Sequence, residues 1–96
     1  MQIKVMADYD CPPLWWDKAP RRVGPIMPEE LGLPTELCAD LLRWAEAYDA
    51  TLVRDDPARS GFPSQEAERE FKDRGKVLAL RVADALGGSA TVRYHV

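Results

Sequence analysis

Residues 35–53 read TELCADLLRWAEAYDATLV. Apolar residues fall at Leu37, Leu41, Trp44, Ala45, Tyr48 and Leu52, in steps of four, three, one, three and four. That spacing places them on one stripe of a helix with about 3.6 residues per turn. Glu36, Asp40, Arg43, Glu46 and Asp49 lie off the stripe. The segment is an amphipathic helix, and the rest of the chain must cover its apolar side. Thr35 is the expected N-cap, its hydroxyl accepting from the amide of Leu37 or Cys38. Pro57 ends the helix by Arg54 or Asp55, because the residue before a proline disfavours helical geometry.

Downstream, residues 55–63, DDPARSGFP, have the composition of a loop, with Phe62 expected to tuck inward. Ser64 can cap a second helix whose buried stripe is Ala67, Phe71, Leu78, Val82 and Leu86. Gly75 interrupts it, at a cost of about 1 kcal/mol relative to alanine. Its presence implies close approach to the first helix, or a kink. Arg74, Lys76 and Arg81 suit the negative end of this helix. Gly87-Gly88 stops it, and residues 90–96, ATVRYHV, form a strand. Val92, Tyr94 and Val96 share one face of that strand, and Thr91, Arg93 and His95 share the other.

Upstream, Ile3, Val5 and Ala7 alternate with Gln2, Lys4 and Met6, the pattern of a strand with one face inward. Asp8-Tyr9-Asp10 ends it and Pro12-Pro13 prevents its resumption. Residues 8–34 form a long arm holding six of the eight prolines. Its apolar content, Leu14, Trp15, Trp16, Val23, Ile26, Met27, Leu31 and Leu33, implies that it lies against the core. A short strand, or a helical turn near Pro28–Leu31, is expected within it. The fold class is therefore α+β in the order β-α-α-β, one domain over residues 1–96. Both helices pack on one face of a small sheet made by the terminal strands. The other face shows Lys4, Arg93 and His95, with Met6. A two-stranded sheet is marginal in water. Either the arm supplies a third strand, or strand edges pair between two copies in a homodimer.

The 13 basic and 16 acidic side chains are unevenly spread. Residues 1–56 carry 11 acidic and 6 basic groups, and residues 57–96 carry 5 and 7. The acidic front disfavours nucleic acid and favours a basic partner, although ordinary solvated surface has the same look. No run approaches the roughly 18–20 apolar residues of a membrane span, and MQIKVMADYD does not resemble a secretory leader. A cytoplasmic location is expected. Cys11 and Cys38 are then reduced thiols, a bridge between them requiring export.

Asp8 and Asp10 are the spacing at which two carboxylates after a strand can converge on a divalent cation, and Asp55 and Asp56 could join them. All four also suit turns. With neither a phosphate loop nor a metal-ligand spacing around the single His95, no cofactor and no metal are expected. An enzyme is the weaker reading. Trp44 lies on the buried stripe. In an extended stretch Trp15 and Trp16 point opposite ways, so one can pack inward while the other meets a partner.

Ala7-Asp8-Tyr9, Pro13-Leu14-Trp15, Trp44, Tyr48-Asp49-Ala50-Thr51-Leu52, Asp55-Asp56-Pro57 and Ser60-Gly61-Phe62 together resemble a family of small bacterial proteins. The resemblance spans most of the chain and carries over no catalytic residue or cofactor. Small acidic immunity proteins, which neutralise a toxin by occupying its basic active site, are similar in size and charge. By that analogy the chain is a protein-binding module whose contact residues are Asp8, Asp10, Trp15, Trp16, Asp55 and Asp56. The alternatives are a homodimeric accessory protein and a carboxylate-based metal enzyme.

Overall fold

The computed structural model describes residues 1–18, 22–52 and 61–95. Its elements are β1 (Gln2–Val5), β2 (Leu14–Trp16), β3 (Pro25–Ile26), α1 (Thr35–Asp49), α2 (Gln65–Ala85) and β4 (Thr91–Tyr94), with 3₁₀ turns at Pro28–Leu31 and Gly87–Ser89. The sheet order is β3-β2-β1-β4. β1 runs parallel to β4 and antiparallel to β2, which is antiparallel to β3.

The fold is α+β, as the hydrophobic periods imply, with the terminal strands adjacent. The arm supplies two strands. The turn after β1 reverses the chain, and Pro13 lends its carbonyl to the amide of Met6 at 3.0 Å. Pro25 sits in β3, an edge strand, where a missing N–H costs no ladder bond. The arm thus supplies within one chain the extra strands that a two-stranded sheet lacks.

Thr35 does not cap α1. Pro34 occupies the N-cap position, with no side-chain cap, and its carbonyl takes the first helical amide, from Cys38, at 3.0 Å. Thr35 is already inside the helix. α1 closes at Asp49, well before Pro57, and the Thr51 hydroxyl donates to the Tyr48 carbonyl at 2.7 Å just beyond the end. Ser64 does cap α2, its Oγ accepting from the Ala67 amide at 3.0 Å. α2 is continuous through Gly75, and its last turn holds no basic residue, so the expected match of cations to its negative end does not extend to that turn.

The core lies between the helices and one sheet face. Ile3, Val5, Leu14, Ile26, Leu41, Trp44 and Val82 are fully enclosed, and Phe71 nearly so. Phe62 packs obliquely on Phe71, with ring centres 5.0 Å apart. Trp44 is the centrepiece. Its ring stacks on Phe71 at 4.6 Å and meets Tyr94 of β4 edge-on at 6.2 Å. Its Nε1 donates to the Phe71 carbonyl at 2.9 Å. That carbonyl belongs to the helical turn that ends at Gly75. A Cβ on Gly75 would collide with Tyr94 Cε1 and lie 2.7 Å from Trp44 Cζ2. Glycine is required there for space, since its backbone is ordinary helix.

Gly75→Ala is therefore expected to destabilise the chain. Overpacking costs about 1–3 kcal/mol and outweighs the roughly 1 kcal/mol gained in helix propensity. Gly88→Ala, which meets open space, is expected to change stability by less than about 0.5 kcal/mol. Urea unfolding of both variants checks the contrast.

Candidate functional site

The turn between β1 and β2 folds back onto the C-terminal end of α1. Tyr9 stacks on Tyr48 with ring centres 4.6 Å apart, and its hydroxyl lies 3.2 Å from Thr51 Oγ1. Asp8 Oδ1 accepts from the Tyr9 amide at 2.8 Å, and the Asp10 amide donates to Asp49 Oδ1 at 2.9 Å. Asp10 takes a left-handed backbone, φ 58°, which aspartate tolerates better than most residues. Asp8, Asp10 and Asp49 thus gather at the C-terminal end of α1, the partly negative end of the helix dipole. The last turn of α1 holds no basic residue.

These carboxylates act on what they surround. The Cys11 thiol is pushed up, first by burial and then by the charges of Asp8, Asp10 and Asp49. Burial is also the main reason that the Tyr48 hydroxyl is pushed up, with Tyr9 and Asp8 adding to it. A raised pKa leaves Cys11 a poor nucleophile. Cys38, about three turns away along α1, is buried, its Sγ 3.5 Å from the Leu33 carbonyl. Both thiols are free.

The two tryptophans diverge as their alternation requires. Trp16 shares the helix-facing side with its register partner Ile3 and packs against the core, while the Arg22 guanidinium sits 4.8 Å from its ring. Trp15, opposite Lys4, is half-buried on the other face. Its Nε1 donates to the Met6 carbonyl at 3.1 Å, which draws the indole to the root of the acidic turn. Of the expected contact residues, Asp8 and Asp10 share the turn, Trp15 is hydrogen-bonded to Met6 at its root, and Trp16 packs against the core on the opposite face. Asp55 and Asp56 lie outside the described residues. The segment that holds them is flanked by Thr51 and Gly61, joined carbonyl to amide at 3.0 Å. Asp49 was not singled out in sequence, where it reads only as part of the wet side of a helix.

Beside the acidic turn is a cleft of about 390 Å³, walled by Met6, Tyr48, Phe62, Phe71 and Tyr94, with His95 also lining it. The Glu68–Lys72 ion pair, 3.1 Å, closes another side. Among the described residues no group of three or more histidine, cysteine, aspartate or glutamate side chains is arranged to hold a metal ion. No helix there is long and apolar enough to cross a membrane.

The sheet face opposite the helices is basic. Lys4 and Arg93 are register neighbours on β1 and β4, an unfavourable like-charge pairing in isolation. Asp17, nearly enclosed, relieves it by accepting from Arg93 Nε at 2.7 Å and Nη2 at 3.1 Å. The Arg93 guanidinium hydrogen bonds hold the Asp17 carboxyl below the usual carboxylate range against the opposing effect of burial, and the charges of Arg93, Lys18 and Lys4 reinforce them.

A family model described as Serratia CdiI immunity protein-like matches residues 1–96. No curated protein matches the chain.

Because its pKa is lowered on folding, Asp17 contributes stability that is complete above the unfolded carboxylate value of about 3.9. That contribution is lost as pH falls through the lower folded value. Asp17→Asn is expected to lower the melting temperature at pH 7 and to flatten the loss of stability between about pH 5 and pH 2. Melts across that range check it, and equal acid slopes in both proteins would contradict the assignment.

Proposed function

The chain belongs to the Serratia CdiI immunity protein-like family, and we propose that it neutralises a toxin protein by capping a basic surface on it with the acidic end of the molecule. The observation that carries this reading is the convergence of Asp8, Asp10 and Asp49 at the negative end of α1. The Tyr9–Tyr48 stack holds the turn in one conformation before any partner arrives. A fixed cluster of like charges speeds the capture of an opposite surface, and preorganisation reduces the ordering cost of binding. Asp55 and Asp56, which lie outside the described residues, belong to the same contact in this proposal.

Trp15 supplies the apolar anchor. Its ring is half-buried and its N–H is already satisfied by Met6, so a partner can cover the ring without stranding a polar group. The aromatic cleft beside the turn receives an apolar or cationic side chain of the toxin, for which its ring faces and edges are suited. Inhibition is by occupancy. No step of covalent chemistry is needed, and the raised Cys11 thiol fits that role.

The test uses the toxin that the wild-type chain captures from its own host. Combined Asp8→Asn, Asp10→Asn and Asp49→Asn changes keep the side-chain acceptors and remove the charge. They are expected to slow association about tenfold at low salt and to flatten its salt dependence. Trp15→Ala is expected to raise the dissociation rate, at a cost of about 2 kcal/mol. Unchanged association kinetics in the triple variant would rule out the acidic end as the contact.

A further inference from the structure

The two edges of the sheet are unlike. β3 ends the sheet on one side with two residues, one of them Pro25. β4 ends it on the other with four residues and no proline. The ladder fixes which backbone groups of β4 are used. The Thr91 amide donates to the Met1 carbonyl at 2.8 Å and the His95 amide to the Val5 carbonyl at 2.9 Å. Successive residues of a strand direct their N–H and C=O groups to opposite sides. Thr91, Arg93 and His95 therefore face β1, and the N–H and C=O groups of Val92 and Tyr94 face outward. Among the described residues none of those outward groups has a backbone partner.

Proteins commonly guard such an edge with a charged side chain, a proline or a bulge. Here the only charge within β4 is Arg93, and it is drawn inward across β1 to Asp17. The edge is left open, and its two faces differ in character. On one face are Arg93 and its neighbour Lys4, whose charges, with that of Lys18, act on the Asp17 carboxylate. On the other are the half-buried side chains of Val92 and Tyr94, packed against the core.

We propose that the β4 edge takes up an extended segment of a partner protein as a fifth strand, one that alternates acidic and apolar side chains. The acidic side chains lie on the basic face beside Arg93, whose side chain is still 46% exposed while paired with Asp17, and the apolar ones lie beside Val92 and Tyr94 on the helix side. Backbone groups supply the pairing and the alternation supplies the selection. This contact is separate from the acidic end, and neither proposal depends on the other.

The probe is a short capped peptide alternating glutamate and valine, added to the full chain labelled with nitrogen-15. The Val92 and Tyr94 amides are expected to shift and to exchange more slowly with solvent, while those of Thr91, Arg93 and His95, already bonded to β1, keep their exchange rates. Replacing the peptide's glutamates with lysine is expected to weaken binding at least tenfold. Prolines at alternate peptide positions, which remove its donors, are expected to do the same. Val92→Pro deletes one outward donor without touching the β1–β4 bonds and should abolish the shifts. If that variant does not fold, the two modified peptides decide alone. Equal binding of the lysine or proline peptide overturns the proposal. So does an absence of shifts at millimolar peptide, or a concentration-dependent dimer that occupies the same amides.

Discussion

The indole N–H of Trp44 has to find an acceptor inside the protein, and the one it finds is a backbone carbonyl of the neighbouring helix. A buried donor left unmade would cost about 1–3 kcal/mol. Reaching that carbonyl demands that a large ring lie against helical backbone, which only a residue without a side chain permits. Gly75 is therefore the counterpart of Trp44, and the notch it leaves sets how closely the helices cross. Tyr94 fills the rest of the notch. One ring thereby fixes α1, α2 and β4 relative to one another. Phe71, stacked on it, passes that order to Tyr48, which carries Tyr9 and the acidic turn. The geometry of the candidate site is inherited from the core through a continuous stack of aromatic rings.

The helices were legible because their signal is local and repeated. The stripe from Leu37 to Tyr48 shows its period several times over, and the Ser64 cap is a one-residue event read in place. Gly75 announced itself by costing propensity without an evident turn. The arm was only partly legible. β2 and β3 are three and two residues long, too short for alternation to show, and what makes them strands is pairing with β1, a non-local fact. Thr35 misled because Pro34 presets the backbone one residue earlier. The site followed the same division. Asp8, Asp10 and Trp15 stood out as types in a pattern. Asp49 joined them only through the fold, and so did Asp17, whose burial answers a Lys4–Arg93 clash that becomes visible once β1 and β4 are known to be neighbours.

Charge is arranged along β1 in two opposing blocks. The turn that follows the strand is acidic, and the open face of the strand itself carries Lys4 beside Arg93. A partner that met only one block would be weakly oriented. One that met both would be fixed in direction as well as position, since like-charge juxtaposition penalises the reversed pose. Trp15 lies at the seam, opposite Lys4 in register and hydrogen-bonded toward the acidic turn.

The parallel pairing of β1 with β4 also governs when the sheet can form. Gln2 leaves the ribosome 89 residues ahead of its register partner, Thr91. At about 5–20 residues per second, β1 waits roughly 4–18 s for its neighbour. During that interval its β4-facing side is bare, with Ile3 and Val5 uncovered by α2. The antiparallel hairpin with β2 is available early and shields the opposite side. Nascent chains thus pass through a period in which half of the central strand is protected by local structure and half depends on not meeting another unfinished copy.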